Sequence, residues 1–232
     1  MTDRSGSGSW VLVIDTATSR IVVAAGDPAG HPIRVLDWPA GHHHGQRLLP
    51  GLEQVMAEAG LSRGSLAGVV VGTGPGTFTG LRVGLATAKA LAHAIDVPIV
   101  GVGTGDALLR AAAGAGQGVA ANPVLLLPAG PHDRVALRGH EPARLLPGGT
   151  EPERTAADVL VAVDLAGRAS EAAIERGAAA LDGLAVALLE LGTARLRAGE
   201  RDDVALLVPE YVTLPRGVPA GGVELSWSPG HR

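Results

Sequence analysis

Residues 69–94 read VVVGTGPGTFTGLRVGLATAKALAHA: a β-branched run, four glycines between positions 72 and 80, then a helical pattern. A strand that enters a helix through a glycine-rich turn has the outline of a phosphate-binding loop, so the chemistry of the turn decides how the chain is read. A P-loop places a lysine and a hydroxyl directly after its last glycine, for the phosphates and magnesium. Here Gly80 is followed by Leu81 and Arg82. A dinucleotide fingerprint spaces its glycines G-x-G-x-x-G and sets an acid at the end of the next strand. Gly72, Gly74, Gly76 and Gly80 miss that spacing, and Asp96 precedes the next strand. Helix N-termini attract anions, so Thr77, Thr79 and Gly80 stay as nucleotide candidates. The preferred reading is a tight strand-to-helix turn whose φ is fixed by Pro75.

The helix after the turn carries more information than the turn. Its charged or strongly polar side chains, Arg82, Lys89 and His93, fall on one stripe of about 40°. A helix lying on one side of a sheet needs only about half its circumference apolar. Gly80, Gly84, Thr87, Ala88 and Leu91 can face the sheet closely, which leaves Leu81, Leu85 and Ala92 on a flank. Either an intramolecular neighbour or a second subunit covers that flank.

Outward from this segment, WVLVIDTAT (10–18), RIVVAAGD (20–27) and PIRVLDWPA (32–40) predict three sequential antiparallel strands. In GQRLLPGLEQVMAEAG, residues Leu48, Leu52, Val55, Met56 and Ala59 share one helical face, and Gly60 supplies the stop. LAGVVVGTG and VPIVGVGT are buried strands, and GDALLRAAAGA is a helix. The order βββαβαβα implies a mixed sheet with helices on its faces, an α/β fold. Beyond it, NPVLLLPAG, DRVALRGHEP, ARLLPGG and DVLVAVDLAG predict further strands, and residues 170–199 a helix broken at glycines. The expected organisation is a tail at 1–9 without order, a first lobe over 10–110, a second over 119–215 with the break between 106 and 120, and a loose tail at 216–232.

Composition narrows the chemistry. The 232 residues are 46% hydrophobic, enough for a large core. With no cysteine, a disulfide framework, a thiolate zinc site and a cysteine nucleophile are excluded. The formal net charge is -4, with no clustered basic run, so strong autonomous grip on a nucleic-acid backbone is not expected. No apolar run reads as a membrane span, and MTDRSGSGSW lacks a secretory pattern, so a cytoplasmic protein without membrane contact is expected.

Asp15 ends a strand in VIDTAT. A carboxylate there, followed by hydroxylated residues, can begin the phosphate and magnesium site of an actin-like ATPase; the plainer reading is that Asp15 buttresses the turn. GHHHG invites a metal, but three adjacent histidines cannot all face one ion from a strand or helix, and solvated imidazoles at a helix entry are preferred. No G-x-S-x-G elbow exists. No catalytic and no metal-ligating residue is therefore assigned.

VLVIDTAT, the H...RLLP start of the first helix, GTGPGTFTGLRVGLATAKALAHAIDVPIVGV and the closing VPEYV resemble the TsaB (YeaZ) family, the bacterial partner of TsaD in making threonylcarbamoyladenosine in tRNA. The resemblance runs from about residue 10 to 108. Past 119 the family's DAR.GEVY-like segment is replaced by PAGPHDRVAL. It implies an actin-like, duplicated (ASKHA) fold and a non-catalytic paralogue of TsaD lacking the latter's metal-binding histidine pair. It also implies helical-bundle contact with a TsaD-like carbamoyltransferase, or with a second copy when alone. Contact with a TsaE-like ATPase and with tRNA would come through that complex, and ATP or ADP would sit at the subunit seam.

On this reading the interface is formed by Leu49, Leu52, Met56, Leu81, Arg82, Leu85, Ala88, Lys89 and Ala92, and Leu85→Asp or Ala88→Arg is expected to abolish association. Two alternatives stand beside it. One is an autonomous actin-fold ATPase or kinase using Asp15 and the loop 72–80; the other is a metallopeptidase using His42 to His44.

Overall fold

The computed structural model describes residues 8–41, 44–115, 122–139 and 141–211. The expected tail at 216–232 and most of that at 1–9 lie outside these residues. Strands β1 (Trp10–Asp15), β2 (Arg20–Gly26) and β3 (Pro32–Pro39) are joined by short turns and pair antiparallel. Helix α1 (His44–Glu58) leads to β4 (Leu66–Gly74), which pairs parallel to β1. Helix α2 (Phe78–Ile95) leads to β5 (Ile99–Gly103), which pairs parallel to β4 and is followed by α3 (Thr104–Ala115). Gly60 stops α1 at φ +63, a left-handed C-terminal cap in which the Leu61 amide returns to Met56 O.

The second lobe repeats the pattern. Strands β6 (Asn122–Pro128), β7 (Arg134–Leu137) and β8 (Arg144–Leu146) are antiparallel, and β9 (Asp158–Ala162) pairs parallel to β6. The strand orders are β3-β2-β1-β4-β5 and β8-β7-β6-β9, so β6 to β9 reproduce β1 to β4 without the helix that joins β3 to β4. This is the expected α/β, actin-like duplication of two mixed sheets flanked by helices. The last element among the described residues is α4 (Glu171–Arg197).

Side chains of the central strands alternate between two apolar layers, as the strand period of two demands. Trp10, Leu12, Ile14, Val69 and Val71 face α1 and α2. Val11, Val13 and Val70 face the other way, into a core shared with Leu125 and Leu127 of the second sheet and with α3 and α4. The lobes thus meet in one continuous core.

Helix α4 runs unbroken for 27 residues, where the sequence pattern predicts breaks at glycines. Those glycines are points of close approach. A Cβ on Gly177 would meet Ala162 O of the second sheet at 1.9 Å, and one on Gly192 would meet Val70 of the first at 2.3 Å. By length and hydropathy α4 could cross a membrane, contrary to the sequence expectation that no segment could. Yet 56% of its most apolar window is buried inside the protein, as befits a helix packed on both sheets. Residues 106–115, inside the expected break between lobes, are the body of α3.

Candidate functional site

Asp15 closes β1 at a point with no exposure. Its Oδ2 accepts the Thr104 hydroxyl at 2.6 Å and its Oδ1 accepts the Ala17 amide at 2.9 Å. Thr104 Oγ1 accepts in turn from the Gly74 amide at 3.1 Å. The carboxylate thereby ties β1, the turn behind β4 and the start of α3 together. Burial pushes its pKa up to about 6, against the bonds from Thr104 and Ala17 that lower it. Gly72 lies directly over it, since a Cβ there would meet Asp15 Oδ2 at 1.7 Å.

The glycine loop packs on the β1–β2 turn. The Thr77 amide donates to Ala17 O at 2.8 Å, and the Thr16 hydroxyl donates to Gly80 O at 2.7 Å. A Cβ at Gly76 would meet Ala17 O at 2.2 Å, one at Gly80 would meet Thr16 O at 2.0 Å, and one at Gly84 would meet Thr16 Oγ1 at 2.1 Å. Gly76 and Gly80 admit a neighbouring backbone, and Gly84 admits the Thr16 side chain. Asp15 and Gly80 are buried on either side of the β1–β2 turn, and Thr77 and Thr79 are exposed beside them.

The β1–β2 turn spends its amides the same way. The Ser19 amide donates to Asp164 Oδ2 at 2.7 Å, and the Ser19 hydroxyl donates to Oδ1 of the same carboxylate. The Arg20 amide donates to Thr18 Oγ1.

Of the expected interface residues, Leu52, Leu81, Leu85, Ala88 and Ala92 are corrected by the structure, because each is at most 6% exposed. Leu52, Leu85, Ala88 and Ala92 belong to the layer under α1 and α2, and Leu81 packs against Gly74. The flank is covered from within the chain. Val204 and Leu207, beyond α4, pack on the same layer, and Lys89 Nζ donates to Leu207 O at 3.0 Å. Met56 is half-buried in that layer, and Lys89 is half-buried too. Leu49, at 53% exposure, and Arg82 remain outward. The outward stripe of α2 is instead Arg82, Ala86, Ala90 and Ala94, spaced four apart.

Residues 202–211 form a strap over the open edge of the first sheet. The Asp202 amide donates to Ile99 O at 2.8 Å, its Oδ2 accepts the Gly101 amide at 2.7 Å, and Arg195 reaches both Gly101 O and the Asp202 carboxylate. The Glu210 amide donates to Thr73 O at 2.7 Å. Tyr211 then meets the start of α2. Its ring lies 5.3 Å from that of Phe78, its hydroxyl accepts from Arg82 Nε at 3.1 Å, and the Arg82 guanidinium sits 3.6 Å over the Phe78 ring. This cluster escapes residue-by-residue reading of the sequence. The available signal is scarcity: Phe78 and Tyr211 are the single phenylalanine and tyrosine of the chain.

His42 and His43 lie outside the described residues, as does the side chain of His44. Among the described residues no group of three His, Asp or Glu is placed to hold a metal ion.

Residues 39–164, more than half of the chain, match the family described as TsaD, tRNA N6-adenosine threonylcarbamoyltransferase. An uncharacterized protein of Mycobacterium tuberculosis is 44% identical over 103 residues, which is 43% of this chain and 48% of that one. The tRNA threonylcarbamoyladenosine biosynthesis protein TsaB of Escherichia coli is 34% identical over 94 residues, 40% of each chain. The matches thus span about half the length of the curated relatives or less. Among solved structures, YeaZ from Pseudomonas aeruginosa superposes with a TM-score of 0.68 at 23% identity, covering 88% of this chain and all of that one.

Proposed function

Because the chain belongs to the family of TsaD, and with the TsaB (YeaZ) proteins within it, we propose that it is a non-catalytic subunit of the machinery that makes threonylcarbamoyladenosine in tRNA. Its task on this reading is to bind and activate a TsaD-like threonylcarbamoyltransferase. The observation that carries the reading is the commitment of Asp15, which has no exposure and whose oxygens accept Thr104 and Ala17. An ATPase of this fold would need that carboxylate open to a metal, and here it is enclosed by the protein itself.

The binding surface fits the outward stripe of α2 with its anchor of Phe78, Arg82 and Tyr211. Aromatic and arginine side chains are the groups that most often dominate a protein interface. A stripe of Ala86 and Ala90 lets a partner helix approach closely. A TsaE-like ATPase and tRNA would join through the TsaD-like subunit, ATP or ADP would lie at the seam between subunits, and a second copy of this chain would take the surface when the partner is absent.

Light scattering after size exclusion, on this chain alone and mixed with the TsaD-like protein of the same organism, tests the reading. A mixed complex with the summed mass, and tRNA modification that depends on both chains, is the expected result. Two separate peaks at concentrations well above micromolar would sink it, as would ATP turnover by this chain alone that disappears in Asp15→Asn.

A further inference from the structure

The second lobe holds a cleft of about 670 Å³ that the reading above does not use. It opens among the β6–β7 turn, the loop after β8 and the start of α4, and its walls include His132, Arg134, Glu151, Arg168 and Ser170. We propose that it binds the phosphate group of a small phosphorylated molecule of nucleoside-monophosphate size.

Two arginines line it. Arg134 is 4% exposed, and its donors go to Arg168 O at 3.2 Å, Thr150 O at 2.5 Å and Glu151 Oε1 at 3.2 Å. A buried cation needs a matching anion. Its one acidic partner among the described residues, Glu151, has a side chain that is 67% exposed. Arg168 donates Nη1 to Gly130 O and Pro131 O, both at 3.1 Å, with no carboxylate among its partners in the described residues. These bonds to carbonyls gather three loops around the cleft and hold both arginines among its lining residues.

Other features agree. Ser170 begins α4 without using its side chain as a cap, so the first amides of the helix lack that partner. Asp133 accepts the Gly148 amide at 3.0 Å and does not line the cleft. The volume lies within the roughly 300–1,000 Å³ range of small-molecule sites, well beyond a single anion. The chain's net charge of -4 favours a small molecule over a nucleic-acid backbone, which needs many cations at once. Glu151 fills the place of the ligand's negative charge in the free protein.

Calorimetric titration of the full chain with AMP, inorganic phosphate, adenosine and a short RNA oligonucleotide tests this. AMP and phosphate should bind saturably and adenosine should not. Arg168→Gln should weaken AMP about tenfold or more, the effect of losing one charge-assisted bond. Glu151→Gln should tighten it several-fold by removing a competing charge. Thermal melts of both variants establish that each is folded. The proposal is overturned by absence of saturable AMP binding at millimolar concentrations, by equal affinities in the wild type and both folded variants, or by an oligonucleotide that binds more tightly than AMP with the same sensitivity to Arg168. None of these outcomes depends on whether the chain binds a TsaD-like partner.

Discussion

The Thr104 hydroxyl and the Asp15 carboxylate meet at 2.6 Å where neither residue has any exposure. The bond spans from the end of β1 to the start of α3, and it stabilises a charge that burial opposes. The pKa of Asp15 is about 6 in the folded protein against an ordinary 3.8, so the folded state binds more protons than the unfolded between those values. Stability from this group therefore falls as pH rises from about 3.8 to about 6, and stays low above.

Asp15→Asn keeps an oxygen for the Ala17 amide and offers an NH2 to Thr104 Oγ1. It is expected to remove that slope and to leave the protein as stable at neutral pH as the wild type, or more so by up to about 3 kcal/mol. Denaturant midpoints of both proteins near pH 4 and pH 7 decide this; a variant that is much weaker at both would show that the carboxylate itself is needed.

Gly80→Ala is expected to destabilise by about 1–3 kcal/mol, or to prevent folding, because its Cβ must displace the Thr16 carbonyl. Gly114→Ala, in α3 with open space around it, is expected to stabilise by up to about 1 kcal/mol. Thermal melts should move in opposite directions. Equal shifts would remove the steric account of the loop.

Ala90→Arg and Ala86→Arg should weaken association with the partner at least tenfold while leaving the melting temperature nearly unchanged, since both side chains face outward. Leu85→Asp should instead unfold the first lobe by placing a charge in its core. Circular dichroism alongside size exclusion separates the two effects, and normal association by a folded Ala90→Arg variant would exclude this stripe.

Asp202→Ala should cost about 1–3 kcal/mol by leaving the Gly101 amide and Arg195 without their shared acceptor. Hydrogen exchange at Gly101 should then outpace exchange at Val100. Unchanged protection there would mean that the strap does not hold the sheet edge.

Much of the fold was legible because the central strands β1, β2 and β4 are apolar on both faces and bounded by turn residues, and Gly60 marked its helix end correctly. The resemblance to TsaB over 10–108 agreed with the order of elements read independently. Three features were not legible. The glycines of α4 look like breaks until the sheets they touch are known, because close approach is a tertiary property. Leu81, Leu85 and Ala92 looked unpartnered because the segment that covers their side of α2, 202–211, follows more than a hundred residues later and has no regular structure. The cleft around Arg134 and Arg168 is assembled from three loops, and no sequence spacing announces it.

Helix α4 bears on how the molecule can be divided. Its first half completes the second sheet and its second half completes the first, so the duplicated pattern is not a pair of separable parts. A fragment ending near residue 115 would leave the Val11, Val13 and Val70 face of its sheet without α4, and one beginning near 119 would carry half a helix with nothing to lie on. The chain should melt in a single transition, and should be slow to form, since β1 and β4 must wait for residues 184–196 to be made before their second face is covered.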